Sequence, residues 1–107
     1  MTPERFRRLA LDLEGTSEQE HMGHPDFRVA GKIFATLGYP DEDWGMVKLT
    51  PEQQRSFVEK APETFRPCKG AWGERGATNI RLAKVKVTVV RDALETAWRN
   101  VAKLKAA

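Results

Sequence analysis

Asp26-Phe27-Arg28-Val29-Ala30-Gly31-Lys32-Ile33-Phe34-Ala35-Thr36-Leu37 reads as two strands joined by a turn. Successive side chains of a strand point to opposite faces. Phe27 and Val29 therefore share one face of the first run. Ile33, Ala35 and Leu37 share a face of the second, with Lys32 and Thr36 opposite. Ala30-Gly31 suits a hairpin turn, because glycine accepts the positive φ that tight hairpins need. Paired strands with one apolar face predict an antiparallel sheet covered on one side.

Outward from this hairpin, glycines at 15, 23, 38 and 45 and Pro25 punctuate further short segments. The spacing predicts strands over residues 17–22 and 44–48, with a polar loop at 39–43. Before them, Thr2-Pro3 opens a helix, since Thr caps and Pro is tolerated at the first helical position. Phe6, Leu9, Ala10 and Leu13 fall at i, i+3, i+4, i+7, so the helix is expected over 3–13, closed by Gly15. After them, Thr50-Pro51-Glu52-Gln53 is a capping box. It predicts a helix over 51–60 with Phe57, Val58 and Ala61 as its apolar side, stopped by Pro62. A short strand is expected at 65–68. Residues 70–76, GAWGERG, read as a loop. In the strand at 77–82, Thr78, Ile80 and Leu82 face one way and Asn79 and Arg81 the other. Val90, Leu94, Ala97, Trp98, Val101 and Leu104 keep helical spacing, which predicts a last helix over 88–103. Its start is ambiguous, because residues 85–90 are β-branched enough to extend a strand.

The expected fold is therefore α+β. It is a two-layer sandwich in which an antiparallel sheet carries its helices on one side, in the order helix–strands–helix–strands–helix. At 107 residues the chain fits one domain with a modest core. Apolar residues at 40% and charged residues at 31% exclude a disordered chain. No apolar run approaches the roughly 18 residues of a membrane span. The N-terminal stretch lacks a continuous apolar region, so it is not read as a secretory signal. A single cysteine, Cys68, leaves no internal disulfide, and the expected compartment is the reducing cytoplasm.

The formal net charge is +3, unevenly distributed. Residues 1–53 hold 6 Lys/Arg against 10 Asp/Glu, net −4, and residues 54–107 hold 12 against 5, net +7. Such asymmetry marks a polyanion-binding face if the halves segregate, and nothing if they interleave. Arg28, Lys32, Lys48, Lys69, Arg75 and Arg81 are the basic residues able to share one surface. Arg28, Lys32 and Arg81 are expected on the uncovered sheet face, with Phe34 among them. Trp72 has two readings. It either stands exposed between Lys69 and Arg75, able to stack on a base while the cations meet phosphate, or folds back to plug the core. Trp98 is read as core.

Two other clusters carry weaker signals. His21-x-x-His24-x-Asp26 has the residue types of a metal or acid–base site, but no third strong ligand nearby. Arg66 and Lys69 near Cys68 would lower its pKa if they faced it, and otherwise the thiol is a small buried group. GAWGERG is glycine-rich like a phosphate loop, but it is neither a Walker loop nor a dinucleotide fingerprint. No catalytic residue, metal or cofactor is expected.

The run from His21 to Leu37, with Arg28 and Gly31-Lys32 as its strongest piece, resembles the MmcQ/YjbR family. Trp72-Gly73, Ile80-Arg81-Leu82, Ala93-Leu94 and Ala97-Trp98 resemble the second half of that family, so the likeness spans nearly the whole chain. The resemblance implies a fold similar to type III secretion chaperones: helix, three strands, helix, two strands, helix. The residues themselves predict one strand more, because 44–48 stands apart from the hairpin. Family members are usually labelled DNA-binding, which implies contacts from Arg28 and Lys32 and then from Trp72 and Arg75. The resemblance also implies that Ala77 stands where many relatives carry a large aromatic, which removes one stacking group. The expected function is a non-enzymatic DNA-binding domain using Arg28, Lys32, Lys69, Trp72, Arg75 and Arg81. The alternative is a chaperone-like or dimerising protein-interaction module, and no membrane is expected as a partner.

Overall fold

The computed structural model describes residues 1–106, with side chains through residue 102. Its elements are α1 (Pro3–Leu11), β1 (Thr16–His21), β2 (His24–Val29), β3 (Lys32–Leu37), β4 (Trp44–Lys48), α2 (Pro51–Lys60), β5 (Phe65–Pro67), α3 (Gly70–Glu74), β6 (Ala77–Arg81) and α4 (Val87–Ala106). All six strands form one antiparallel sheet in the order β1-β2-β3-β4-β6-β5. Four strands precede α2, as the residues predicted, rather than the three that the resemblance implied.

Local chemistry accounts for most boundaries. Ala30 and Gly31 both take positive φ, 55° and 78°, the conformation that a two-residue hairpin turn demands. Met22 and Gly23 repeat it between β1 and β2. The box at α2 is complete: Thr50 Oγ accepts from Gln53 N at 3.1 Å, and Thr50 N donates to Gln53 Oε1 at 2.9 Å. α1 ends two residues sooner than the stripe suggested. Thr16 Oγ donates to the Ala10 and Leu13 carbonyls and satisfies the helix end there.

The core lies between one sheet face and α1, α2 and α4. Phe6, Phe27, Ala35, Val47, Ile80, Leu94 and Ala97 are almost fully buried in it. Phe57 and Val58 of α2 pack against it, with the Phe57 and Phe65 rings 4.9 Å apart. Trp98 is half-buried, and its Nε1 donates to the Glu14 carbonyl at 2.9 Å, tying α4 to the turn before β1. Leu104, placed on the same stripe, lies outside the described side chains. Among the described residues no helix is long and apolar enough to cross a membrane.

Two expectations change. The β2–β3 ladder slips between Phe27 and Arg28: Phe27 pairs with Ala35, but Arg28 pairs with Ile33. The extra residue is Phe34, and this bulge breaks the simple alternation. Phe34 is therefore fully buried in the core rather than set among the basic residues, while Ile33 is only half-buried. The segment GAWGERG is not a plain loop either. Its first five residues form α3.

Candidate nucleic-acid interface

α3 sits where β4 ends and β6 begins, and glycine brings it there. A Cβ on Gly73 would lie 1.7 Å from the Cys68 carbonyl oxygen. One on Gly76, at φ +111°, would lie 2.0 Å from the Leu49 oxygen. These two glycines serve close backbone packing. The buried amide of Gln54 on α2 completes the attachment: its Nε2 reaches the Gly73 carbonyl at 3.1 Å, the Ala77 carbonyl at 3.0 Å and Thr78 Oγ at 3.1 Å. On the neighbouring strand, Asn100 of α4 donates to the Lys48 carbonyl at 3.2 Å and to Gln53 Oε1 at 2.7 Å.

This framework fixes a shallow cavity of about 250 Å³ lined by Lys48, Leu49, Trp72, Arg75 and Ala77. Trp72 is 57% exposed, so it does not plug the core. The Lys48 ammonium lies 5.4 Å from the centre of its ring, a cation–π contact. Burial pushes the Lys48 pKa down, and the charge of Lys32 adds to that. Lys32, Lys69 and Arg75 are exposed. Among the described residues no carboxylate lies within 4.0 Å of Lys32, Lys48, Lys69 or Arg75. The cavity draws Lys48 from the acidic half of the sequence and Trp72 and Arg75 from the basic half, so the halves interleave here.

Arg28 and Arg81 lie elsewhere. Arg28 is spent on Asp26, a carboxylate with no solvent exposure. Its Nε donates to Asp26 Oδ1 at 2.9 Å and its Nη2 to Oδ2 at 3.2 Å. His21 Nδ1 lies 2.7 Å from Oδ2. The Arg28 hydrogen bonds hold the Asp26 carboxyl below its usual pKa against the opposing push of burial, and His21 helps. His24 turns away from this cluster to meet Tyr39 edge-on, with ring centres 5.9 Å apart. The three-residue site read from His21, His24 and Asp26 is thus a His21–Asp26–Arg28 cluster, and no group of three metal-ligating side chains forms among the described residues. Arg81 is exposed at the end of β6, paired in register with Trp44. The Trp44 ring instead carries Arg66, 5.0 Å from its centre.

Cys68 is half-buried, and its thiol donates to Asn79 Oδ1 at 3.2 Å. Burial pushes its pKa up to about 11. Neither Arg66 nor Lys69 makes it a thiolate.

The family model described as YjbR matches residues 11–100. The chain belongs to the YjbR family. Its fold is also that of a crystal structure of Deinococcus radiodurans protein DR2400, described as a DUF419 domain. The TM-score is 0.81 at 15% identity, over 95% of this chain and 79% of that one. No curated protein matches. In this YjbR domain the best-matching motif residues have structural explanations of their own. Arg28 neutralises Asp26, and Gly31 makes the hairpin turn. Lys32, the next motif position, leads from that turn toward Lys48. Lys48 stood among the basic residues of the sequence but was not singled out. Its pairing with Ala77 across β4 and β6 sets it beside Trp72, and a strand order is what a sequence does not spell out.

Proposed function

We propose that this YjbR domain is a nucleic-acid-binding protein that contacts DNA through the α3 corner. Trp72 supplies a stacking surface, and Lys32, Lys48, Lys69 and Arg75 supply charge for phosphates. One observation carries the reading: Lys48 and Arg75, without carboxylate partners among the described residues, line a cavity with an exposed tryptophan, with Lys69 at the start of α3 and Lys32 near enough to Lys48 for its charge to act on it. Arg81 lies at the far end of β6, away from this corner. Arg28 contributes less, because Asp26 already neutralises it. The domain acts by binding rather than by chemistry, and the protonated Cys68 thiol supports that view.

The test is binding of labelled DNA by the whole chain across a salt series. Three or four neutralised phosphates give a slope of log K against log salt of roughly −2 to −4. No binding at about 50 mM salt, the low end of that range, overturns the proposal.

The alternative, a protein-interaction module, has one feature in its favour. A groove between α2 and α4 is lined by Phe57, Ala61, Phe65 and Val89. A single protein partner retained through nuclease and high salt, with no DNA binding, would establish that reading instead.

A further inference from the structure

We infer that the α3 corner takes one unpaired nucleobase, and that the ligand is therefore single-stranded nucleic acid rather than duplex. This rests on the nucleic-acid reading above and narrows it. Three features of the cavity carry the inference: its size, its floor and its rigidity.

At about 250 Å³ the cavity is smaller than the roughly 300–1,000 Å³ of drug-sized ligand sites. It has room for one planar ring system, not for the edge of a base-paired helix. Its floor is apolar, made by Leu49 and Ala77, both 5% exposed. The ring of Trp72 forms one wall and Lys48 and Arg75 stand at the rim. An apolar floor, an aromatic wall and two cations match a base carrying its phosphate. A phosphate surface alone would need neither the floor nor the ring. In a duplex both faces of every base are already stacked, so Trp72 reaches one only by unstacking a step.

Rigidity separates this tryptophan from an idle surface residue. Gly73 and Gly76 press α3 onto the backbones of Cys68 and Leu49, and Gln54 binds the Gly73 and Ala77 carbonyls. The Trp72 backbone is ordered before any ligand arrives, so little entropy is lost when a base stacks. Lys48 already rests on the ring, partly stripped of water. A base that takes the ring face frees this ammonium to meet the adjoining phosphate.

The experiment compares an oligothymidylate of about 12 nucleotides, within the ~4–16 of common single-strand sites, with a duplex of equal length. The whole chain is titrated into each and followed by anisotropy. The single strand should bind at least about tenfold tighter, although its lower charge density favours the duplex electrostatically. Trp72→Ala should weaken single-strand binding by about fivefold to 150-fold, the range for loss of one base–aromatic stack. The same change should leave duplex binding nearly unaltered, and Trp72→Phe should keep most of the affinity. Because Trp72 is exposed, circular dichroism should show all variants folded. Lys48→Gln is the second variant, and should lower the salt slope by about 0.7 on the single strand. An oligouridylate arm distinguishes RNA from DNA, and binding of either single strand in preference to duplex supports the inference. Duplex binding as tight as single-strand binding, or equal losses on both for Trp72→Ala, overturns it while leaving phosphate binding at this corner intact. No binding to any of them overturns both readings.

Discussion

Replacing Gly73 by alanine should unseat α3. The new Cβ would lie 1.7 Å from the Cys68 oxygen and 2.7 Å from its carbonyl carbon, where ordinary contact begins at 3.4 Å. Both obstacles are backbone atoms, so no side chain can rotate away. The Cys68 amide is itself bonded to the Ala77 carbonyl at 3.0 Å, which ties the obstacle to β6. Relief therefore requires α3 to move by well over 1 Å, since the Cβ–oxygen gap must about double. The Gln54 bond to the Gly73 carbonyl is already 3.1 Å long, near the ~3.2 Å limit of a good N–H···O bond, and does not survive such a shift. The Gln54 amide keeps its bonds to Ala77 and Thr78, so the loss is that of one net hydrogen bond, about 0.5–1.5 kcal/mol. Overpacking strain adds about 1–3 kcal/mol. The sum, roughly 1.5–4.5 kcal/mol, is a large share of the ~5–15 kcal/mol that holds a typical domain folded.

Urea denaturation followed by circular dichroism measures this directly, with the midpoint falling at constant m. Gly70→Ala is the matched control. Nothing lies within 4 Å of its added Cβ, but its φ of +71° is left-handed, so it should cost only about 1–2 kcal/mol. If Gly73→Ala proves no more costly than Gly70→Ala, close packing against Cys68 is not what seats α3. Trp72 then stands on no rigid platform.

Gln54→Leu removes the donor shared by three acceptors, and thermal denaturation should register a loss of about 1–3 kcal/mol. A neutral outcome would mean that the amide does not secure α3. Arg28→Met removes the donors that hold the Asp26 carboxyl below its ordinary value of 3.8. A depressed carboxylate stabilises the fold above that value and loses its contribution as pH falls through the lower folded-state pKa. The melting temperature of this variant should thus fall by several degrees at about pH 7 and by progressively less as the pH falls below 3.8. An equal drop throughout would contradict the pairing. The salt slope of DNA binding should barely change in the same protein. With its pKa near 11, Cys68 should react with iodoacetamide at about pH 8 roughly twentyfold more slowly than a free thiol, after allowing for the greater nucleophilicity of a high-pKa thiolate. Rapid labelling of the folded protein would refute its burial.

What the sequence made legible followed from local rules. β3, β4 and α2 begin and end where their turn residues and capping box place them, because those signals act over three or four residues. The covered sheet face was legible for the same reason, from alternation in Phe27, Ile80 and Leu82. The misses are long-range effects. α3 contains two glycines in five residues, a poor composition for a helix. Its stability comes from Gln54, nineteen residues away. Phe34 enters the core because the ladder slips, and no window of sequence shows a slip. Asp26 and Arg28 are two residues apart and so share a strand face, which was legible. That Asp26 is wholly buried, and so claims the guanidinium for itself, was not.

Ala77 shows how the two kinds of information combine. In the sequence it is a small residue, which the family resemblance counts as the loss of a stacking group. In the fold it pairs with Lys48 and forms part of the cavity floor beside Trp72. A large ring at that position would fill part of the cavity beside Trp72. A small residue at this position of β6 leaves that space open against the tryptophan of α3. The basic residues that line that space, Lys48 and Arg75, come from β4 and the end of α3, brought together by a strand order in which β6 lies between β4 and β5. The motif residue Arg28 stabilises the opposite part of the sheet. The most recognisable residues of the chain thus maintain its fold, and the site depends on side chains whose meaning appears only once β4 and β6 are paired.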